Sequence, residues 1–360
     1  MSGGVDSSVA AALLREEGHE VIGITLKLLE RAGENFGCCG SPEDIAIARR
    51  AAETIGVPHY VLDYSRAFKE GVIDYFFDSY AQGETPNPCL ACNRTVKFDR
   101  LFEFTRSLEG DFLATGHYAR IAAGAAGSFR LLRALDRTKD QSYVLFMMNT
   151  DKLRRTLFPL GTLSKPETRR IAARFKLPNA EKPDSQDICF VPGKDYRAFL
   201  RREADLRPEA AGMEPGPILD GEGRRLGTHH GIAFYTVGQR EGLGISAGRP
   251  LYVKRLDPSR NAVVVGESGE ILAEEARVED VRWVSGEAPP FPFRALAQIR
   301  YRHEPAPVEV RPGPGSGLAL RFQSPQRAVT PGQAAVLYRH PEDGDPDEVI
   351  GGGILRGSAR

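Results

Sequence analysis

Apolar residues recur at helical spacing over 7–17, with Val9, Leu13 and Leu14 on one face and Gly18 ending the run. A short apolar run over 21–26 predicts a strand, and a helix follows over 42–55, closed by Gly56. The alternation continues with a strand at 59–62, a long helix over 67–81, a helix over 96–108 and a buried strand at 111–115. Strands alternating with helices predict a Rossmann-like α/β unit, a doubly wound parallel sheet with helices on both faces.

The texture changes near residue 195. Gly and Pro become frequent, and alternating segments appear at 251–255, 262–265, 293–301 and 318–322, with a turn-rich loop at 311–317. The chain is therefore expected to divide into an α/β unit over 1–195, a small central unit over 196–252 and a C-terminal β-barrel over 253–360.

Composition adds exclusions. Of 360 residues, 41% are hydrophobic and 27% charged, as in an ordinary globular protein. No apolar stretch has the length of a membrane span and no signal-peptide pattern opens the chain, so the expected compartment is the cytoplasm with no membrane partner. Net charge is zero and gives no sign of a nucleic-acid partner. Residues 165–202 carry ten Lys/Arg against five Asp/Glu, a bias that charge alone assigns to a solvated helix face. Five cysteines fall as Cys38-Cys39, Cys89-x-x-Cys92 and a lone Cys189, which is no disulfide framework.

Ser2-Gly3-Gly4-Val5-Asp6-Ser7-Ser8 opens directly into a helix. Two glycines let backbone approach an anion, Ser2 and Ser7 carry hydroxyls, and the helix start supplies N–H groups and a positive dipole end. The chemistry is that of a phosphate cradle without the Gly-Lys-Ser/Thr of a Walker loop. A plain capped turn is the alternative. The pattern resembles the pyrophosphate (PP) loop of the ATP pyrophosphatase superfamily, S-G-G-x-D-S, whose members cleave ATP between the α and β phosphates. Such a loop follows a strand, and four or five buried strand residues at ~1.5–3 kcal/mol each match a domain's whole stability of ~5–15 kcal/mol. The expectation is that the native product starts upstream, with Met1 internal; mass spectrometry of the native N-terminus tests it.

The segment TPNPCLACN (85–93) is stiffened by two prolines and presents two thiols three residues apart at the mouth of a helix, where thiolate is favoured. Together with ATGHYAR (114–120), LDRTKDQSYVLF (135–146), FPLG (158–161), KPETR (165–169), DSQDICF (184–190), YTVGQREGLGI (235–245) and AVTPGQAAVLY (328–338), it resembles the tRNA-specific 2-thiouridylase family across the whole chain.

That resemblance implies adenylation of the C2 oxygen of the wobble uridine, then its replacement by sulfur. By carry-over, Cys92 is the nucleophile and Cys189 the persulfide carrier. Contacts to ATP fall on Ser2, Gly3, Gly4, Val5, Asp6, Ser7, Leu26 and Gly116, with Mg accompanying the nucleotide. Base contacts fall on Asn87, Pro88 and Cys89, and other tRNA contacts on His117, Lys139, Asp140, Gln141, Arg300, Tyr301 and Gln333. The implied partners are tRNA and a sulfur donor, a cysteine desulfurase or sulfur-relay protein. Many relatives carry aspartate where this chain has Cys89. The extra thiol favours a 4Fe–4S cluster on Cys89, Cys92 and Cys189 over a metal-free persulfide route, and zinc is disfavoured for want of a second Cys pair.

Bland readings stand beside these. Cys38-Cys39 is incidental, His229-His230 a loop pair and Trp283 core. His117 alone is as well a structural histidine, and Lys139-Asp140-Gln141 as well a cap for a helix at Ser142. Two other functions remain open: another superfamily ligase such as an amidotransferase synthetase, which needs no cysteine, and a non-catalytic redox or metal-binding tRNA-associated protein, which turns over no ATP.

Overall fold

The computed structural model describes residues 1–29, 40–184, 188–207 and 212–357. Cys38-Cys39 lies outside the described residues. Packing divides the chain into two units, one of residues 1–73, 88–196 and 284–286, the other of 74–87, 197–283 and 287–360. Residues 74–87 thus pack outside the unit that the sequence pattern runs unbroken from 1 to 195.

In the first unit α1 (Val5–Glu16) follows the glycine turn, and β1 (Gly23–Lys27), α2 (Pro42–Ile55) and β2 (His59–Asp63) come next. Strands β1 and β2 pair in parallel, Gly23 opposite His59. Helix α2 starts where Ser41 accepts the amide of Asp44 at 3.0 Å, with Pro at its first position. It stops at Gly56, left-handed at φ 77°, whose amide reaches Ala52. Its Ala48, Ala51 and Ala52 are fully buried, small enough to let the helix lie close against its neighbours.

The long helix expected over 67–81 is broken. It appears as α3 (Ser65–Phe68), a π-wound stretch over Lys69–Asp74, and α4 (Tyr75–Ala81), which belongs to the second unit. A second π stretch, Cys92–Phe98, sits between α5 (Pro88–Ala91) and α6 (Asp99–Ser107), so only the latter part of the expected 96–108 helix is α-helical. Such wide turns recur at functional sites. The two π stretches meet where Gly71 leaves room for the Thr95 hydroxyl, 2.9 Å from where a β-carbon would stand.

Beyond them β3 (Leu113–Ala114) pairs in parallel with β6 (Thr156–Leu157), and between them lies the antiparallel hairpin of β4 (Ala119–Ala123) and β5 (Phe129–Arg133). Helix α7 (Thr150–Arg154) precedes β6, and α8 (Lys165–Arg174) follows it. Helix α8 opens with a full capping box, Ser164 and Glu167 satisfying each other's backbone amides. Val5, Val9 and Ala10 of α1 pack with Tyr118, Leu160, Ala172 and Leu177 in one buried cluster, which fixes α1 and α8 against each other under the glycine turn.

The second unit holds a four-stranded sheet and a barrel. In the sheet, β7 (Gly216–Leu219), β8 (Arg225–His229), β9 (Tyr252–Asp257) and β10 (Ala262–Gly266) run in the order β8-β7-β10-β9. Strands β9 and β10, expected in a barrel unit beginning at 253, pair here instead, because β10 lies parallel to β7. The barrel comprises β11 (Leu272–Trp283), β12 (Phe293–Gln298), β13 (Ala306–Pro312), β14 (Leu318–Arg327), β15 (Ala334–Arg339) and β16 (Glu348–Leu355). All its pairings are antiparallel. The twelve-residue β11 closes it, pairing with β14 through its first half and with β16 through its second. Val278, Leu320, Val310, Ala297 and Leu337 fill the interior, and Trp283 packs partly buried against it, as core rather than as a stacking platform.

Candidate active site

The glycine turn is held by its own polar groups. The Ser2 amide donates to Ser7 Oγ at 2.9 Å, and the two hydroxyls lie 3.2 Å apart. Gly4 is extended at the N-cap of α1 with no side chain capping it, so the first-turn amides face the turn. Gly3 is left-handed at φ +76°, and a β-carbon there would stand 2.6 Å from the Asp44 carbonyl. Asn179 donates to the Gly3 carbonyl at 3.1 Å and to Ser8 Oγ at 3.0 Å, and Lys182 reaches the same carbonyl and pairs with Asp44.

Gly116 presses on this turn. A β-carbon on it would stand 2.6 Å from the Ser7 amide nitrogen and 2.7 Å from the Asp6 carbonyl carbon. Next to it His117 is buried against the rings of Phe98 and Phe158, with centroids at 5.9 and 6.1 Å. Phe98 ends the π stretch that Cys92 begins. Burial, with Lys97 nearby, lowers the His117 imidazole to about 3, and Nδ1 lies 2.8 Å from the Thr115 hydroxyl. It is a neutral imidazole inside the core. Tyr118 donates to Asp6 Oδ1 at 2.9 Å, and burial followed by the Asp6 charge pushes its phenol well above the usual range.

A cationic network backs the turn. Lys165 Nζ holds both oxygens of Asp6, at 2.7 and 2.9 Å, and Asp184 at 2.7 Å. Lys139 and Arg169 also meet Asp184, at 2.8 and 3.2 Å. Burial pushes the Asp184 carboxyl up, but hydrogen bonds from Lys139 and Lys165 outweigh it and leave it below the usual range. The basic bias of 165–202, assigned from charge to a solvated face, is partly an inward cluster: the Lys165 side chain is only 10% exposed. Sequence reasoning gave no role to Lys165, Asp184, Asn179 or Lys182. The only signal was the charge bias, together with the KPETR and DSQDICF segments.

The three neighbours 139–141 also turn inward. Asp140 accepts the amides of Ala134 and Ser142 and the Ser142 hydroxyl, and its carboxyl is raised because burial outweighs these bonds. Gln141 brackets Tyr118, its side-chain oxygen accepting the Tyr118 amide at 3.0 Å and its own amide donating to the Tyr118 carbonyl at 2.9 Å. Leu26 is buried near the end of β1.

Cys89 lies exposed in the first turn of α5 and Cys92 is buried one turn later, while Cys189 is half-buried. Phe190 packs edge-on against Phe68 of α3 at 5.7 Å, and α3 packs against the stretch beginning at Cys92. The two thiol-bearing segments thus share α3 as a neighbour. Among the described residues, no group of three or more His, Cys, Asp or Glu side chains could hold a metal ion. Cys89, Cys92 and Cys189 thus form no such single-ion group, and Cys89 is exposed where Cys92 is buried.

In the second unit Gln333 donates to the Thr85 carbonyl at 2.8 Å, two residues before Asn87. Arg300 and Tyr301 lie in the turn after β12, with Tyr301 exposed and the Arg302 guanidinium 5.5 Å from its ring. His229 is structural, receiving the Gly231 amide and meeting the Asn261 carbonyl.

A serine–glycine cradle at an uncapped helix start, backed by the buried Lys165 in an α/β unit, has the form of a PP-loop phosphate site. The family model described as tRNA methyl transferase HUP domain matches residues 1–193. Models described as tRNA methyl transferase PRC-barrel domain and Aminomethyltransferase beta-barrel domain match 208–267 and 273–355. The tRNA-specific 2-thiouridylase MnmA of Roseiflexus sp. (strain RS-1) is 50% identical over 99% of this chain and 97% of its own. The proteins of that name from Carboxydothermus hydrogenoformans and Geobacter metallireducens are 45% and 49% identical, over 99% of this chain and 96% and 95% of theirs. The chain belongs to the tRNA-specific 2-thiouridylase family. Among solved structures, the U34-tRNA thiolase NcsA from Methanococcus maripaludis with its 4Fe-4S cluster aligns at TM-score 0.33 and 18% identity, over 57% of this chain and 63% of its own, too slight a likeness to carry an argument.

Proposed function

We propose that this chain adenylates the C2 oxygen of the wobble uridine of a tRNA and replaces it with sulfur from Cys189, with Cys92 as the resolving nucleophile. As a member of its family it is a sulfurtransferase acting on tRNA. The observation that carries the finer reading is the turn at 116–117. It presses on Asp6 and Ser7 of the phosphate cradle and, one residue on, packs against the stretch that Cys92 begins.

The uracil oxygen attacks the α-phosphorus of ATP, N3 gives up its proton and pyrophosphate leaves onto the cradle, whose amides and Ser2 and Ser7 hydroxyls receive it. Magnesium arrives with ATP as its counter-ion. The outer sulfur of a deprotonated Cys189 persulfide adds to C2 and the C2–O bond breaks, with AMP carrying off the oxygen. The Cys92 thiolate then attacks Cys189 Sγ. The S–S bond breaks, C2 keeps the outer sulfur, N3 regains a proton, and a Cys92–Cys189 disulfide remains. A dithiol reductant reopens it, and a cysteine desulfurase or relay protein reloads Cys189. Gly3, Gly4, Val5, Leu26 and Gly116 shape the ATP site. Asn87, Pro88 and Cys89 meet the base, while His117, Lys139, Asp140, Gln141, Arg300, Tyr301 and Gln333 meet or support the rest of the tRNA. No described helix is long and apolar enough to cross a membrane, and we place the reaction in the cytoplasm.

The test is release of AMP and pyrophosphate dependent on tRNA, with thiolated nucleoside as product. Cys92→Ser and Cys189→Ser should keep tRNA-dependent AMP release and lose thiolation. ATP turnover that yields no thiolated nucleoside and is unchanged in Cys92→Ser would point to a superfamily ligase that needs no cysteine, and absence of AMP release from the wild type to a non-catalytic protein.

A further inference from the structure

The network behind the phosphate cradle converges on one carboxylate. Asp184 meets Lys165 at 2.7 Å, Lys139 at 2.8 Å and Arg169 at 3.2 Å. Lys165 holds Asp6 of the cradle with the same ammonium. Arg169 also donates to the carbonyls of Ala180 and Lys182, at 2.7 and 3.0 Å, so α8 grips the chain entering Asp184 at several points. Cys189 follows Asp184 by five residues. Phe190, immediately after it, is buried and packs against Phe68. Asp184 is thus held by α8, and Phe190, beside the half-buried thiol, by α3.

We propose that Asp184 is a positioning residue for sulfur delivery, its carboxylate holding the chain five residues before Cys189 to the Lys165–Asp6 pair so that sulfur arrives at the carbon which the nucleotide has activated. The inference rests on the function proposed above. In that scheme Asp184 touches neither ATP nor uridine and acts through Lys165. When the tether is cut, adenylated uridine still forms but water reaches it before the persulfide. Hydrolysis returns uridine and AMP, and ATP is consumed without sulfur transfer.

The readout is the ratio of thiolated nucleoside to AMP in one reaction, using the full chain, tRNA, magnesium-ATP and a cysteine desulfurase supplied with cysteine. In Asp184→Asn the ratio should fall about tenfold or more, since a misplacement of ~1 Å can cost ~10²-fold. Asp184→Glu should restore most of it. A merely structural Asp184 would lower both products together and leave the ratio unchanged, and that result overturns the proposal. An equal fall in the Asn and Glu variants overturns it as well. If Asp184→Asn does not fold, Arg169→Met carries the same test, because Arg169 grips the same segment; an unchanged ratio there is equally decisive. A wild-type protein that releases no tRNA-dependent AMP refutes the functional proposal itself and takes this inference with it.

Discussion

Gly116→Ala is a one-carbon change whose effect the geometry sets. The added carbon would stand 2.6 Å from the Ser7 nitrogen, 2.7 Å from the Asp6 carbonyl carbon and 2.9 Å from the Asp6 carbonyl oxygen. All three are backbone atoms in the first turn of α1, so no side chain can rotate away. Reaching an ordinary contact of about 3.4 Å moves that turn by about 0.8 Å, and overpacking of this kind costs ~1–3 kcal/mol. The amides so displaced are those proposed above to receive the phosphates. A shift of this size should cut tRNA-dependent AMP release by about 10–100-fold at saturating tRNA. Gly56→Ala is the control. Gly56 is left-handed at φ +77° with nothing within 4 Å of a β-carbon, so the strain there, ~1–2 kcal/mol, lowers stability without reaching the cradle. Urea midpoints and AMP release should therefore separate: both variants less stable, only Gly116→Ala slow. A folded Gly116→Ala with wild-type AMP release would refute the argument.

Two further outcomes follow from buried polar groups. Tyr118→Phe removes the hydroxyl that donates to Asp6 at 2.9 Å and lies 2.9 Å from Thr168 Oγ1, and should lower the unfolding free energy by about 1–2 kcal/mol in urea titrations. His117 titrates at about 3 when folded against 6.5 when unfolded. The unfolded chain takes the proton first, so the stability this residue contributes is present above pH 6.5 and is lost as pH falls toward 3. Between pH 8 and pH 5 the loss should be about 2 kcal/mol, and His117→Gln should flatten that part of the pH profile; an unchanged profile would show that the imidazole is not held neutral.

The elements legible in the sequence were those whose ends carry local chemistry. Helix 42–55 was visible because Ser41, Pro42 and Gly56 act within a few residues of chain. The glycine cradle was visible for the same reason. The π stretches at 69–74 and 92–98 were not, and the contact they share, Gly71 against Thr95, joins residues far apart in sequence. The assignment of β9 and β10 to the small sheet hangs on a parallel partner over forty residues upstream. The site divides the same way. Its cysteines and serines announce themselves by type and spacing, but Lys165 and Asp184 acquire meaning only once 6, 165 and 184 are brought together.

The barrel's closing strand has a consequence for recognition. Because β11 passes from β14 in its first half to β16 in its second, the six strands close on themselves instead of ending in two long free edges. Most of what such a closed ring offers a partner is the loops at its rims and the side chains on its outer wall.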